Sequence, residues 1–395
     1  MLNGFFIAGF PGRTYMPRKG RRIEQAELCG HHRFYAEDYA RAKKLGLLVA
    51  RETAQWAAIE RVPGQYDFGF VRRRIHSARA QGIQLIWTLL DGGWPADIDV
   101  MRPMFVQRFT AYARAFARLL RDQEVKQPIV VPVNEIGPLS RAGGELGHCF
   151  PFLEERGLEL RCQLVRAAIS AVDAMREILP EIRIMHVEPL VHVSAHPFHP
   201  EDADAADAMR REQYAVFDML AGRSWPQLGG REHHLDLIGV SHYLGSQYYY
   251  AGPRYPGRMI DPQAAEWRRF SDMLAELGRR YACPLVVAAT GHDGAGRAAW
   301  LRYICREAQH AASHGTAVHG ICIAPIVDCP KQAFELRNSH GLWGPADEQG
   351  ERAVDMWLAK ELREQQRTFE RLQHERIEPA AAGAARTRLN RAFDA

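Results

Sequence analysis

An α/β fold built as a single (β/α)8 TIM barrel is what this 395-residue sequence predicts. Three observations lead there. Short, continuously apolar runs rich in β-branched residues recur eight times, the pattern of parallel strands covered on both faces. Each run is followed by a stretch with helical periodicity. No repeat or low-complexity linker divides the series, so the units read as one domain over residues 1–378, with a tail over 379–395.

The expected strands, in order, are Phe5–Phe10, Leu47–Thr53, Ile83–Leu90, Pro128–Glu135, Ile182–Pro189, Leu235–Tyr243, Pro284–Thr290 and Gly320–Asp328. Between the third and fourth, Phe105, Phe109, Tyr112, Phe116 and Leu119 fall on one helical stripe. Leu160, Leu164, Ala167, Ala168, Ala171 and Met175 do the same after the fourth, and Pro180 stops that helix. Gly46, Gly82 and Gly315 stand just past other helices, where a left-handed cap wants glycine. The stretch 190–230 reads as an excursion at the barrel rim, and Pro379–Gly383 as the start of a loosely docked tail.

Composition narrows the functional classes. With 47% hydrophobic and 25% charged residues the chain has the makings of a large core. A net charge of +4 without any Lys/Arg block argues against nucleic acid and against an anionic membrane as partners. The apolar run Leu2–Phe10 is too short to span a bilayer and lacks the basic flank of a signal peptide. Cys29, Cys149, Cys162, Cys283, Cys305, Cys322 and Cys329 are dispersed and form no CxxC pair, which reads as reduced thiols and a cytoplasmic location.

In such a barrel the chemistry belongs at the C-terminal ends of the strands. Those positions hold Arg51 and Glu52, Asp91, Asn134 and Glu135, then Glu188. Ser241, His242 and Tyr243 follow, then Ala289, Thr290 and His292, and finally Asp328. Glu52 and Asp328 are equally readable as solvated loop residues. Glu135 stands apart, because it ends a nearly uncharged apolar strand and sits beside Asn134.

Five segments, in order, carry a family resemblance: Gly30–Asp38, Pro63–Phe68, Pro132–Glu135, Asp236–Val240 and Ser339–Trp343. On these the chain, from about Phe6 to Gly344, resembles glycoside hydrolase family 1, the bacterial β-glucosidase-like branch of the retaining (β/α)8 glycosidases. The resemblance implies a small-molecule β-glycoside as substrate and neither a cofactor nor a metal. It makes Glu135 the general acid/base, puts Asn134 on the sugar 2-hydroxyl, and lays Arg51 under the nucleophile.

Retaining hydrolysis needs a second carboxylate about 5–5.5 Å from the first. The position that aligns with it is Ala289, in Val287–His292. Other departures cluster there. Asp91 replaces a histidine, Ser241-His242-Tyr243 replaces Asn-Tyr-Tyr, and Ala324 replaces an aromatic residue.

Three readings stay open. A glycosidase-type enzyme would take its second carboxylate from Asp91, Glu188, Asp293 or Asp328, since inverting chemistry spaces the pair about 6.5–9.5 Å apart. Glu188 is the preferred base. A catalytically silent barrel would bind a sugar or a partner through Asn134 and Glu135, with Trp94 and Trp343 as aromatic platforms and Ser241, His242, Tyr243 and His292 lining the pocket. A repurposed metal-dependent enzyme would draw ligands from Asp91, Glu135, Glu188, His242 and His292, without any tight ligand motif. The oligomeric state is left open.

Overall fold

Eight parallel strands close on themselves in chain order. The computed structural model describes residues 2–19, 21–254, 257–329 and 341–372. The strands are β1 Phe6–Gly9, β2 Val49–Thr53, β3 Gln84–Leu90, β4 Ile129–Val133, β5 Arg183–Pro189, β6 Leu237–Ser241, β7 Leu285–Thr290 and β8 Val318–Ile323. Each falls inside or within two residues of its expected span, and β1 pairs with both β2 and β8 to complete the ring. Closure leaves no unpaired strand edge. The expected tail over 379–395 lies outside the described residues, as do Ser339 and His340.

Two apolar layers follow from the side-chain alternation of a strand. Ile7, Val49, Ile86, Val131, Val187 and Val286 point inward and fill the barrel. The opposite faces pack against the helices. Phe105, Phe109, Tyr112 and Phe116 are fully buried on helix Pro103–Asp122, where Pro103 opens the first turn at no hydrogen-bond cost. Trp56 stacks on Tyr112 at 5.6 Å. The 190–230 stretch carries strand His192–Ser194, which pairs with Gln247–Tyr249, and helices Ala203–Arg211 and Ala215–Leu220. Among the described residues no helix is long and apolar enough to cross a membrane.

Buried charge ties the ends of this layer together. His31, at the start of helix His31–Lys44, joins Asp38 through Nδ1 and Glu52 through Nε2, both at 2.8 Å. Arg74 donates to Glu52 at 2.9 Å, Tyr39 donates to it at 2.6 Å, and Arg352 forks onto Asp38 at 2.6 and 2.9 Å. Phe10 stacks flat on His31 at 4.0 Å. Burial would raise Glu52 and Asp38, but Arg74 and His31 on Glu52, and His31 and Arg352 on Asp38, hold both below the usual carboxylate range. Burial would lower His31, and the two carboxylates outweigh it.

The carboxylates therefore stabilise the fold above their ordinary values of 4.5 and 3.8, and that contribution is lost as the pH falls through their depressed ones. His31 stabilises it below 6.5, and its share is lost as the pH rises through the raised value. Glu52→Gln strands Arg74 and His31 without their anion. We expect it to cost about 3–5 kcal/mol, read as a lowered urea midpoint near neutral pH. An unchanged midpoint would show that the network holds nothing together.

Candidate functional site

The strand ladder itself delivers the first two groups to the barrel mouth. Beyond β4, Asn134 N donates to Leu90 O at 2.9 Å and Glu135 N to Val187 O at 3.0 Å, so both residues stay in register past the strand end. Glu135 takes φ 51°, ψ 61° and opens the short helix Ile136–Leu139. A non-glycine residue in that left-handed region stores about 1–3 kcal/mol and needs its surroundings to hold it there.

Glu188 supplies part of that hold. Its carboxylate accepts the Gly137 N–H at 3.0 and 3.2 Å, catching the first turn after Glu135 from behind. The side chain is only 3% exposed. Burial first, and the Glu135 carboxylate second, push its pKa up to about 8. At neutral pH Glu188 is a proton-bearing buried acid.

Arg51 rises from β2 and crosses the barrel. Its Nη2 donates to Asn134 Oδ1 at 2.6 Å, Nη1 to Ala288 O at 3.1 Å and Nε to Thr88 Oγ1 at 3.3 Å. Asn134 passes the contact on, its Nδ2 donating to Asp91 Oδ1 at 3.3 Å. Across the mouth Ser241 Oγ donates to Glu135 Oε1 at 2.5 Å. Tyr243 donates to Ala324 O at 3.1 Å, and burial and the Glu135 charge hold its hydroxyl protonated, above its ordinary pKa.

A bulge sets Ala289. The β6–β7 register slips between Val287 and Ala289, so Ala288 fills the barrel interior while Thr290 turns outward and accepts Trp300 Nε1 at 2.9 Å. The extra residue is Ala288, and Ala289 pairs with Ser241 and is left half-buried.

One group reaches the mouth from a loop. After β1 the chain is pinned to the end of β3 by Thr14 N donating to Asp91 O at 2.9 Å. The approach depends on Gly92 (φ 86°), where a Cβ would lie 2.6 Å from Thr14 O. Arg13 then faces Asp91 and Glu135. Burial works to lower its pKa, and the two carboxylates more than offset it.

The chain shares this architecture with several solved structures. An AHE enzyme from Alicyclobacillus herbarius aligns with a TM-score of 0.76 at 18% identity, covering 92% of this chain and 97% of that one. A family 1 β-glucosidase from Thermotoga maritima aligns at 0.68 and 18%, covering 85% and 86%. A β-glucosidase from Thermotoga maritima in complex with castanospermine aligns at 0.74 and 16%, covering 92% and 97%. The fold is that of family 1 β-glucosidases. No protein-family model matches the chain, and neither does any curated protein.

Of the residues expected at the mouth, the structure brings Arg51, Asp91, Asn134, Glu135, Ser241, Tyr243 and Ala289 together. Others it places elsewhere. Trp94 is 0% exposed and packs between Phe105 and Phe150, and Trp343 is 2% exposed in the core, so neither offers a face as a platform. His242 is buried beneath Phe270 at 4.3 Å, with Nδ1 donating to Leu190 O; burial drives its pKa down to about 4. Its Nε2 is buried and unpaired. His292 turns toward Asp293 O and Trp300 on the outside of β7. Glu188 lies behind Glu135, shut off from the water a general base would activate. Arg13 is the residue the sequence reading missed, because it lies three residues beyond the first expected strand rather than at its end.

Among the described residues, one trio of metal-ligating side chains comes within 4.8 Å: Asp173, His233 and His234, on the outer surface. His234 Nδ1 accepts the Arg231 N–H at 2.9 Å, so its proton sits on Nε2, toward Asp173 at 3.1 Å. Both ring nitrogens are committed, and His234 has no lone pair left for a metal.

Because the folded state binds the Glu188 proton more tightly than the ordinary value of 4.5, this group makes stability fall as the pH rises from 4.5 to about 8. Glu188→Gln keeps the shape and removes the titration. Its urea midpoint should vary less between pH 5 and pH 8 than that of the parent, by roughly the portion one buried acid contributes. Parallel profiles for the two proteins would mean that Glu188 is already ionised in the fold.

Proposed function

We propose that the mouth binds a glycoside, with Glu135 directed at the glycosidic oxygen, and that retaining hydrolysis is absent from it. Ala289 carries this reading: at the rim position that aligns with the nucleophile there is a methyl group, which forms no bond to an anomeric carbon. The rest of the arrangement supports a sugar site. Asn134 is fixed by Arg51 on one side and Asp91 on the other, the kind of preorganised polar group that orients a ligand hydroxyl. The Thermotoga maritima β-glucosidase with the same fold is held in complex with castanospermine and with glucoimidazole.

A second reading has one observation in its favour. Asp91 is a half-buried carboxylate facing the mouth from the strand next to Glu135, whereas Glu188 is sealed. Asp91 is thus the group to activate water if hydrolysis proceeds with inversion.

Turnover of 4-nitrophenyl β-D-glucoside tests both. We expect no retained-anomer product from the parent chain, and turnover with retention once Ala289→Glu restores the carboxylate. Azide offered to the parent should return a glycosyl azide of inverted configuration. Inverted glucose from the parent, lowered about 10²–10⁴-fold by Asp91→Asn, would establish the Asp91 reading instead. Retained glucose from the unmodified chain would sink the proposal.

A further inference from the structure

The rim beside Ala289 is built around a cation held, among the described residues, by neutral acceptors alone. Arg51 places its donors on Thr88 Oγ1, Ala288 O and Asn134 Oδ1, three neutral acceptors. Among the described residues it forms no ion pair, whereas Arg74 pairs with Glu52, Arg297 with Asp328 and Arg352 with Asp38. The residue following its Ala288 contact is Ala289, whose small side chain is partly open to the mouth. A small, half-buried side chain therefore follows the strand carbonyl that holds this guanidinium.

A second guanidinium faces the same space. Arg13 lies within electrostatic reach of Asp91 and Glu135, yet among the described residues its side chain donates no hydrogen bond. The two mouth carboxylates already accept from neutral donors, Asp91 from Asn134 and Glu135 from Ser241. Two guanidinium groups at one mouth present planar donor forks suited to a carboxylate.

Resting on the glycoside reading above, we propose that the ligand brings this carboxylate itself. The mouth is assigned to a sugar acid whose carboxylate is borne on the anomeric carbon, a 2-ulosonic acid or its glycoside, or the corresponding open-chain aldonate. Position supports this choice over an acid at the far end of the sugar. Ala289 aligns with the group that would touch the anomeric carbon from the side opposite the glycosidic oxygen, and Glu135 faces that oxygen. A ligand oriented by Glu135 thus points its anomeric substituent at Arg51.

Calorimetric titration of the unmodified chain with N-acetylneuraminate, D-gluconate, D-glucuronate, D-glucose, methyl β-D-glucoside and acetate separates the outcomes. We expect N-acetylneuraminate or gluconate to bind about tenfold or more tighter than glucose, the worth of a charge-assisted contact, with glucuronate close to glucose. Ala289→Glu should abolish that advantage by setting a like charge beside Arg51; a thermal melt checks that the variant folds. Glucuronate matching gluconate, or acetate binding as tightly as either acid, overturns the anomeric assignment using the parent protein alone. Methyl β-D-glucoside binding more tightly than every acid overturns it as well, and leaves the glycoside reading intact. Binding of no sugar at all defeats that reading with it.

Discussion

A guanidinium at the top of a closed barrel is the constraint around which the mouth is organised. Arg51 cannot shed its charge, and the interior below it is aliphatic. Its position is tolerable because each guanidinium nitrogen donates once, to β3 through Thr88, to β7 through the Ala288 carbonyl and to the end of β4 through Asn134. One side chain from β2 therefore fixes groups on three other strands. Asn134 owes its rotamer to Arg51, and Asp91 is met through Asn134. What remains at the mouth is arranged relative to that frame.

Glu135 is held by a different set of contacts. Its backbone sits in a conformation that side chains avoid, stabilised by the ladder bond to Val187 and by Glu188 pinning the following turn. Its carboxylate meets Ser241, a short donor that leaves one oxygen uncovered. The acid is thus oriented rigidly from the backbone side and lightly from the ligand side. Such an arrangement suits a group meant to meet something that arrives from solution.

The strands were legible because a parallel sheet buried on both faces writes itself as unbroken apolar runs, and the residues that continue its ladder, Asn134 and Glu135, inherit their place from it. Side chains that depend on what covers them were less legible. Trp94 and Trp343 follow strands at the rim, but Phe105 and Phe150 enclose the first and the core takes the second. His242 and Ser241 are consecutive, so the pleat necessarily sends them to opposite faces; sequence order alone says only that one of them is lost to the mouth. Glu188 reads as a candidate base until burial is known. Arg13 has no strand to locate it. Its place comes from a loop crossing over Gly92, a contact between segments about eighty residues apart that no local pattern announces.

The buried pair of Asp38 and Arg352 also bears on how the chain is made. The partners stand 314 residues apart, a separation a ribosome covers in about 15–60 s. Through that interval the emerging chain already holds Asp38 and His31 without the fork that completes them. The network is therefore begun by the first segments made and closed only once the distant arginine has been synthesised.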